Sequence, residues 1–190
     1  MQGAIYQMKM FNGDPHPGNY LFDADGSVTF IDFGLVKRWG PGELETLTPV
    51  IDPLFDQDAT GVVAEMERAG FLRADHGLDP ERVLAYVSAP YVPYLTDTFT
   101  FTEEFTPNAL RSLLDVNGPY AEVMHALTMP PSFVILDRVV WGMSALMGRL
   151  GASKRWRAML AEYREDAPPV TPLGEAEQQW VRRTAERARR

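Results

Sequence analysis

The 190-residue chain predicts an α+β fold that is mainly helical, with one small β-hairpin near its start. Three observations lead there. Two short runs rich in aromatic and β-branched residues, Tyr20-Leu21-Phe22 and Val28-Thr29-Phe30-Ile31, flank the hairpin-turn sequence Asp23-Ala24-Asp25-Gly26. From Pro41 onward, helix start and stop signals recur. The most apolar stretch, Phe133 to Leu150, is broken by Asp137, Arg138 and Arg149, so it falls short of the ~18–20 apolar residues of a membrane span. An apolar content of 45% with 23% charged residues is enough to build a core, which argues against global disorder.

Taken in order, the first helix is expected from Gln2 to about Met10. Phe11 to Asn19 is too rich in Pro and Gly for a helix or a central strand. The hairpin follows, and Asp32-Phe33-Gly34 closes its second strand. Asp58 reads as the N-cap of a helix that runs to Gly70, a residue type that suits a C′ position. Asp79-Pro80 opens a helix to about Tyr91, a cap followed by proline at the first helical position, and Thr106-Pro107 repeats that signal. Pro130-Pro131 precedes the helix of Phe133 to Leu150, with Gly151 past its end. A helix from Ser153 to about Arg164, a break at Ala167-Pro168-Pro169 and a charged helix from about Leu173 complete the chain. The reading is one lobe over 1–166, then a linker with a hinge near Pro168 and a terminal helix over 167–190.

Charge divides along the same line. Residues 1–148 carry 8 basic and 20 acidic side chains, a balance of −12, whereas 149–190 carry 10 and 6, a balance of +4. An acidic body lacks the basic footprint that nucleic acid requires, so no nucleic-acid partner is expected. The basic tail reads first as a solvated helix face, and it also allows peripheral contact with a membrane or an acidic partner. Absence of cysteine excludes disulfides, zinc-thiolate sites and thiol nucleophiles, and suits a reducing cytoplasm. Met1 to Phe11 lacks the basic start, apolar stretch and cleavage site of a secretory leader.

Chemistry concentrates in Asp14, then Asn19 after four intervening residues, then Asp32 beyond the hairpin. Phosphoryl transfer asks a protein for metal ions on the phosphates and for a group that orients the attacking hydroxyl. Mg²⁺ prefers carboxylate, carbonyl and water oxygens. Asp32, at the end of a strand, suits a metal carboxylate, and Asn19 offers a neutral carbonyl oxygen. Asp14, on the loop that enters the hairpin, suits the base that faces the acceptor. The hairpin folds these positions together.

The spacing resembles the D-x-x-x-x-N…D-F-G pattern of the protein-kinase fold, in its C-terminal lobe. Asp14-Pro15-His16-Pro17-Gly18-Asn19 after Phe11 is more specifically similar to the loop of the UbiB/AarF-type atypical kinases, which reads roughly F-H-A-D-P-H-P-G-N. The short step from Leu35 to Gly40, without a long activation segment or A-P-E, agrees, as does the Phe133 to Leu150 helix with Arg138 inside it. The resemblance covers roughly residues 1–165, most specifically 11–38. It implies an ATP- and Mg²⁺-dependent kinase or ATPase linked to isoprenoid quinone or lipid metabolism. Asp14 would be catalytic, Asn19 and Asp32 would be cofactor and metal ligands, and Asn12, His16, Gly18, Phe33 and Gly34 would support the loop. Position 12 is Asn where that family usually has His. Asn12-Gly13-Asp14 also resembles the H-G-D of aminoglycoside and choline kinases.

A kinase N-lobe supplies a phosphate-covering loop, a strand lysine and a helix glutamate. Lys9 stands only five residues before Asp14, and the family's K-x-G-Q signature does not occur. ATP and Mg²⁺ binding is therefore expected to depend on an N-lobe from another polypeptide or an upstream segment. The alternative is a catalytically inactive, pseudokinase-like lobe that binds a partner. Other features read plainly. Asp23 and Asp25 belong to a turn, because a calcium loop would place Glu where Gly34 stands. His76 and His125 receive no role. Trp141, Met143, Leu146 and Met147 read as core at helical spacing, and Phe99, Phe101 and Phe105 as packing on the lobe or a partner-facing patch.

Overall fold

The computed structural model describes residues 2–188 and has the mainly helical α+β character that the sequence predicts. Met1, Arg189 and Arg190 lie outside the described residues, so the last two arginines of the basic tail have no structural account. α1 (Gln2–Tyr6) is shorter than predicted. Lys9 takes a left-handed φ of 52° and turns the chain into β1 (Met10–Asn12). A 3-10 turn (Pro17–Asn19) leads to β2 (Tyr20–Phe22), which pairs antiparallel with β3 (Val28–Phe30), Leu21 opposite Thr29. The turn between them closes through Gly26 N–H to the Asp23 carbonyl at 3.0 Å, with Gly26 at φ 84°. β4 (Val36–Arg38) then runs back along β1, Phe11 opposite Lys37. Neither β1 nor β4 was evident from local pattern. β1 is tolerated in its Pro- and Gly-rich surroundings because it ends before Gly13 and pairs on one side only.

The helices follow their caps. α2 (Glu43–Phe55) starts after left-handed Gly42. The Asp58 carboxylate accepts from Gly61 N–H at the start of α3 (Ala59–Arg68), and Gly70 leaves the helix at φ 76°. Asp79 caps α4 (Pro80–Ser88) by accepting from Glu81 N–H. That helix ends before Tyr91 because Pro90 and Pro93 lack N–H donors, and a 3-10 turn (Ala89–Tyr94) replaces its last part. After β5 (Phe99–Thr100), α5 (Phe105–Leu113) begins one residue before Thr106. Thr106 is therefore no cap; its buried hydroxyl has no hydrogen-bond partner among the described residues. α6 (Ala121–Ala126) and α7 (Pro131–Arg149) follow, with Gly151 at φ 57° beyond. Ser153 opens a strand and not a helix: β6 (Ser153–Lys154) pairs with β5, and α8 (Trp156–Arg164) starts after it. α9 (Pro172–Ala188) ends the described chain.

The core joins the β1–β4 ribbon to the helical body. Phe11, Trp39, Phe133 and Phe71 stack in sequence with ring centroids 5.2, 5.3 and 5.2 Å apart. All four are buried, so the strand that precedes Asp14 is anchored on α7. A second aromatic cluster absorbs Phe99, Phe101 and Phe105, packed edge to face at 5.1–5.5 Å, with Trp156 on Phe101. Phe101 is buried, so this set packs on the lobe. Glu162 is buried and accepts from Val170 N–H at 3.2 Å, which ties the linker to α8. Among the described residues, no helix is long and apolar enough to cross a membrane.

Candidate active site

Asp14, Asn19 and Asp32 reach one neighbourhood through Asn12. The Asn12 side chain donates through Nδ2 to the Asp32 carbonyl at 2.8 Å and accepts on Oδ1 from Asp14 N–H at 2.9 Å. One amide thus holds the loop before β2 against the segment after β3. A carboxamide has both a donor and an acceptor at its end, so it can serve both groups at once. Gly13 N–H donates to the Leu35 carbonyl at 2.7 Å, extending the ribbon by one bond beyond Asn12. Ile31 N–H donates to the Asn19 carbonyl at 3.1 Å, which carries the hairpin pairing to the residue before Asp32.

The loop between Asp14 and Asn19 is braced locally. His16 Nδ1 accepts from Gly18 N–H at 3.1 Å, and the His16 carbonyl accepts from Asn19 N–H at 2.9 Å. Gly18 sits close enough that an added Cβ would stand 3.0 Å from His16 Nδ1. α7 supports the loop from below. A Cβ on Gly142 would stand 2.7 Å from Pro15 Cγ, and one on Gly13 would crowd Leu35 and Ile135. These glycines permit backbone approaches that a side chain would block.

Asn19 Nδ2 lies 3.4 Å from both the carbonyl and Oδ2 of Asp14. With its NH₂ turned to Asp14, its Oδ1 remains available. Asp32 Oδ1 accepts from Gly34 N–H at 2.7 Å, which leaves the other carboxylate oxygen available. Asp14 and Asn19 are half-buried, whereas Asp32, Phe33 and Gly34 are exposed. Tyr20 lies beside Asp14; burial first, then the Asp14 charge, pushes its phenol up. Among the described residues no three His, Cys, Asp or Glu side chains converge as a metal cage. Two free oxygen donors, one carboxylate and one amide, still fit the way Mg²⁺ is held, by one or two protein oxygens with phosphates and waters completing the shell. The wider acidic turn is used internally: Asp23 and Asp25 both accept from the Ser27 hydroxyl, at 3.2 and 2.7 Å.

The hairpin beside these groups is bare. Every residue from Leu21 to Val36 is exposed, including Leu21, Phe22, Val28, Phe30, Ile31 and Phe33. Alternation along a strand sends neighbours to opposite faces, so apolar groups are uncovered on both. A lone two-stranded hairpin is marginally stable in water, and a contiguous apolar surface of this kind marks an interaction site. The aromatic content of the run was visible in the sequence. That both faces stay open was not, because exposure depends on what packs against them.

Comparison with known proteins bears on the same segment. Residues 1–66 match the model of the ABC1 atypical kinase-like domain. An uncharacterized protein of Synechocystis sp. is 34% identical over 70 residues, 37% of this chain and 12% of its own length. The Arabidopsis thaliana protein Activity of BC1 Complex Kinase 3, chloroplastic, is 24% identical over 160 residues, 84% of this chain and 21% of its own length. The alignments with curated relatives thus span between 10% and 21% of those proteins. Among solved structures, Rv3197 of Mycobacterium tuberculosis, determined in complex with erythromycin, superposes with a TM-score of 0.67 at 23% identity, over 87% of this chain and 41% of that one. At that identity the likeness concerns the fold. Residues 1–66, which hold the Asp14–Asn19 loop and Asp32-Phe33-Gly34, are thus similar to the ABC1 atypical kinase-like domain, the domain of the UbiB/AarF group.

Proposed function

We propose that this chain is the C-terminal lobe of a Mg²⁺- and ATP-dependent kinase or ATPase, and that it works when a second, N-terminal lobe covers the hairpin. The observation that carries this reading is the bare apolar hairpin, Leu21 to Val36, contiguous with Asp32 and tied through Asn12 to the Asp14 loop. The second lobe would come from the same polypeptide or a separate one. It would supply the adenine and most phosphate contacts, which explains why a phosphate-binding lysine is not needed among residues 2–32 of this lobe.

In this assignment Asp32 and Asn19 hold the metal through their free oxygens, and the Asn19 NH₂ keeps the Asp14 carboxylate oriented. Asp14 positions an acceptor hydroxyl, or water in the ATPase case, and takes its proton. Bound Mg²⁺ would neutralise phosphate charge. Asn12, His16 and Gly18 hold the loop by the hydrogen bonds described, and Phe33 contributes to the covered surface. Resemblance to this family over residues 1–66 favours an acceptor from quinone or lipid metabolism, reached by peripheral membrane contact from the cytoplasmic side.

The test pairs the chain with a candidate N-lobe and measures thermal stabilisation by Mg²⁺-ATP. Stabilisation is expected with both lobes present, and Asp32→Asn is expected to remove it. If the two lobes associate and Mg²⁺-ATP gives no shift, the lobe is a partner-binding module. A shift that survives Asp32→Asn would move the metal elsewhere.

A further inference from the structure

A cavity of about 260 Å³ lies within the helical body, and none of Asp14, Asn19 and Asp32 lines it. Native interiors are packed nearly as densely as organic crystals, and an apolar cavity of about 150 Å³ is already large enough to take benzene. The space here suits a substituted ring. Its walls are chiefly aliphatic and aromatic, drawn from α1, α2, α4, the 3-10 turn after it, α5 and α7.

One carboxyl interrupts that wall. Asp137 on α7 lines the cavity together with Trp141 one turn later, and Tyr86, Tyr91 and Tyr94 line it from α4 and the 3-10 turn. Burial pushes the Asp137 carboxyl up, and the Trp141 indole N–H opposes this; none of the ion pairs among the described residues includes Asp137. Its neighbour Arg138 is exposed. Burial likewise pushes the phenols of Tyr86 and Tyr91 up, with the Asp137 charge adding to both and the Arg164 charge opposing at Tyr91, so these rings stay neutral. The Tyr94 hydroxyl is already engaged, accepting from Gln2 Nε2 at 3.0 Å.

A partly desolvated carboxylate without a counter-charge favours a cation brought by a ligand. Aromatic faces carry negative potential and attract the same kind of head group, most strongly for Trp and Tyr. A neutral ligand of the same shape would fill the space and leave Asp137 uncompensated. We propose that this cavity binds an organic ammonium with a small apolar body, the cationic head at Asp137 among Tyr86, Tyr91 and Trp141. Trp141, which the sequence suggests is only core packing, then also forms a ligand contact.

The test uses the purified chain and isothermal titration calorimetry with two probes: 2-phenylethylammonium, and 2-phenylethanol, which has the same ring and spacer without the charge. The ammonium is expected to bind saturably, about tenfold or more tighter than the alcohol, with a similar loss in Asp137→Asn. Val140→Phe, which fills the cavity from the same helix, is expected to abolish binding of the ammonium while circular dichroism stays unchanged. Equal affinity for the two probes, ammonium binding unchanged in Asp137→Asn, or no saturable ammonium binding would each overturn the proposal. If Asp137→Asn does not fold, the probe comparison and Val140→Phe decide it.

Discussion

Asn12 is the residue through which the two halves of the candidate site hold each other, and replacing it tests that directly. Asn12→Ala removes two hydrogen bonds, the 2.8 Å bond to the Asp32 carbonyl and the 2.9 Å bond from Asp14 N–H. Each is worth about 1 kcal/mol net at a partly exposed position, which corresponds to about a fivefold change in a local opening equilibrium. Residue-resolved amide hydrogen exchange reads this out. In Asn12→Ala the Asp14 amide should exchange about fivefold faster, and the Gly34 amide, which donates to Asp32 Oδ1 at 2.7 Å, should follow as Asp32 loosens. Asn12→Asp separates the two bonds, because a carboxylate keeps the acceptor for Asp14 N–H and loses the donor for the Asp32 carbonyl. Asp14 should then stay protected while Gly34 exchanges faster. Global stability should change little in either variant, because Asn12 is only half-buried and Asp32 is exposed, so water can replace much of what the lost bonds supplied. An Asp14 amide that exchanges at the wild-type rate in Asn12→Ala, or identical patterns in the two variants, would refute the bridging role.

Two further predictions concern the platform under the site. Gly142→Val would place a Cβ 2.7 Å from Pro15 Cγ. A proline ring has little freedom to retreat, so overpacking should destabilise the protein by about 1–3 kcal/mol. Chemical denaturation measures the loss, and unaltered stability would mean that the loop does not rest on α7. Glu43 is held below its ordinary 4.5 chiefly by Gly40 N–H, then by the Ser132 hydroxyl, with Lys37 nearby. A carboxylate depressed in the folded state contributes stability that is present above its unfolded pKa and is lost as pH falls from 4.5 through the lower folded value. Glu43→Gln should therefore flatten the acid limb of the melting-temperature profile below about pH 4.5 and leave its slope near neutrality unchanged; an identical acid limb would show that these partners do not act on Glu43.

Local chemistry carried much of this protein in the sequence. Asp58 and Asp79 cap helices where short-range rules expect them, Gly70 and Gly151 end helices in left-handed backbone, and Asp23 to Gly26 turns a hairpin. Each of these outcomes depends on groups within a few residues of one another. The loop of Asp14 to Asn19 with Asp32-Phe33-Gly34 was legible for the same reason, as a spacing. Pairings between distant segments were not. β1 joins β4 across the whole hairpin, and β5 joins β6 across α5, α6 and α7. Strands of two or three residues are too short to show a period, so their partners decide whether they exist. Thr106 looked like a cap because its neighbour is proline, yet burial against the helical body drew it into the helix. The bare hairpin and the Asp137 cavity belong to this second class. Exposure and concave space are properties of how elements stack, and the tertiary structure decides both.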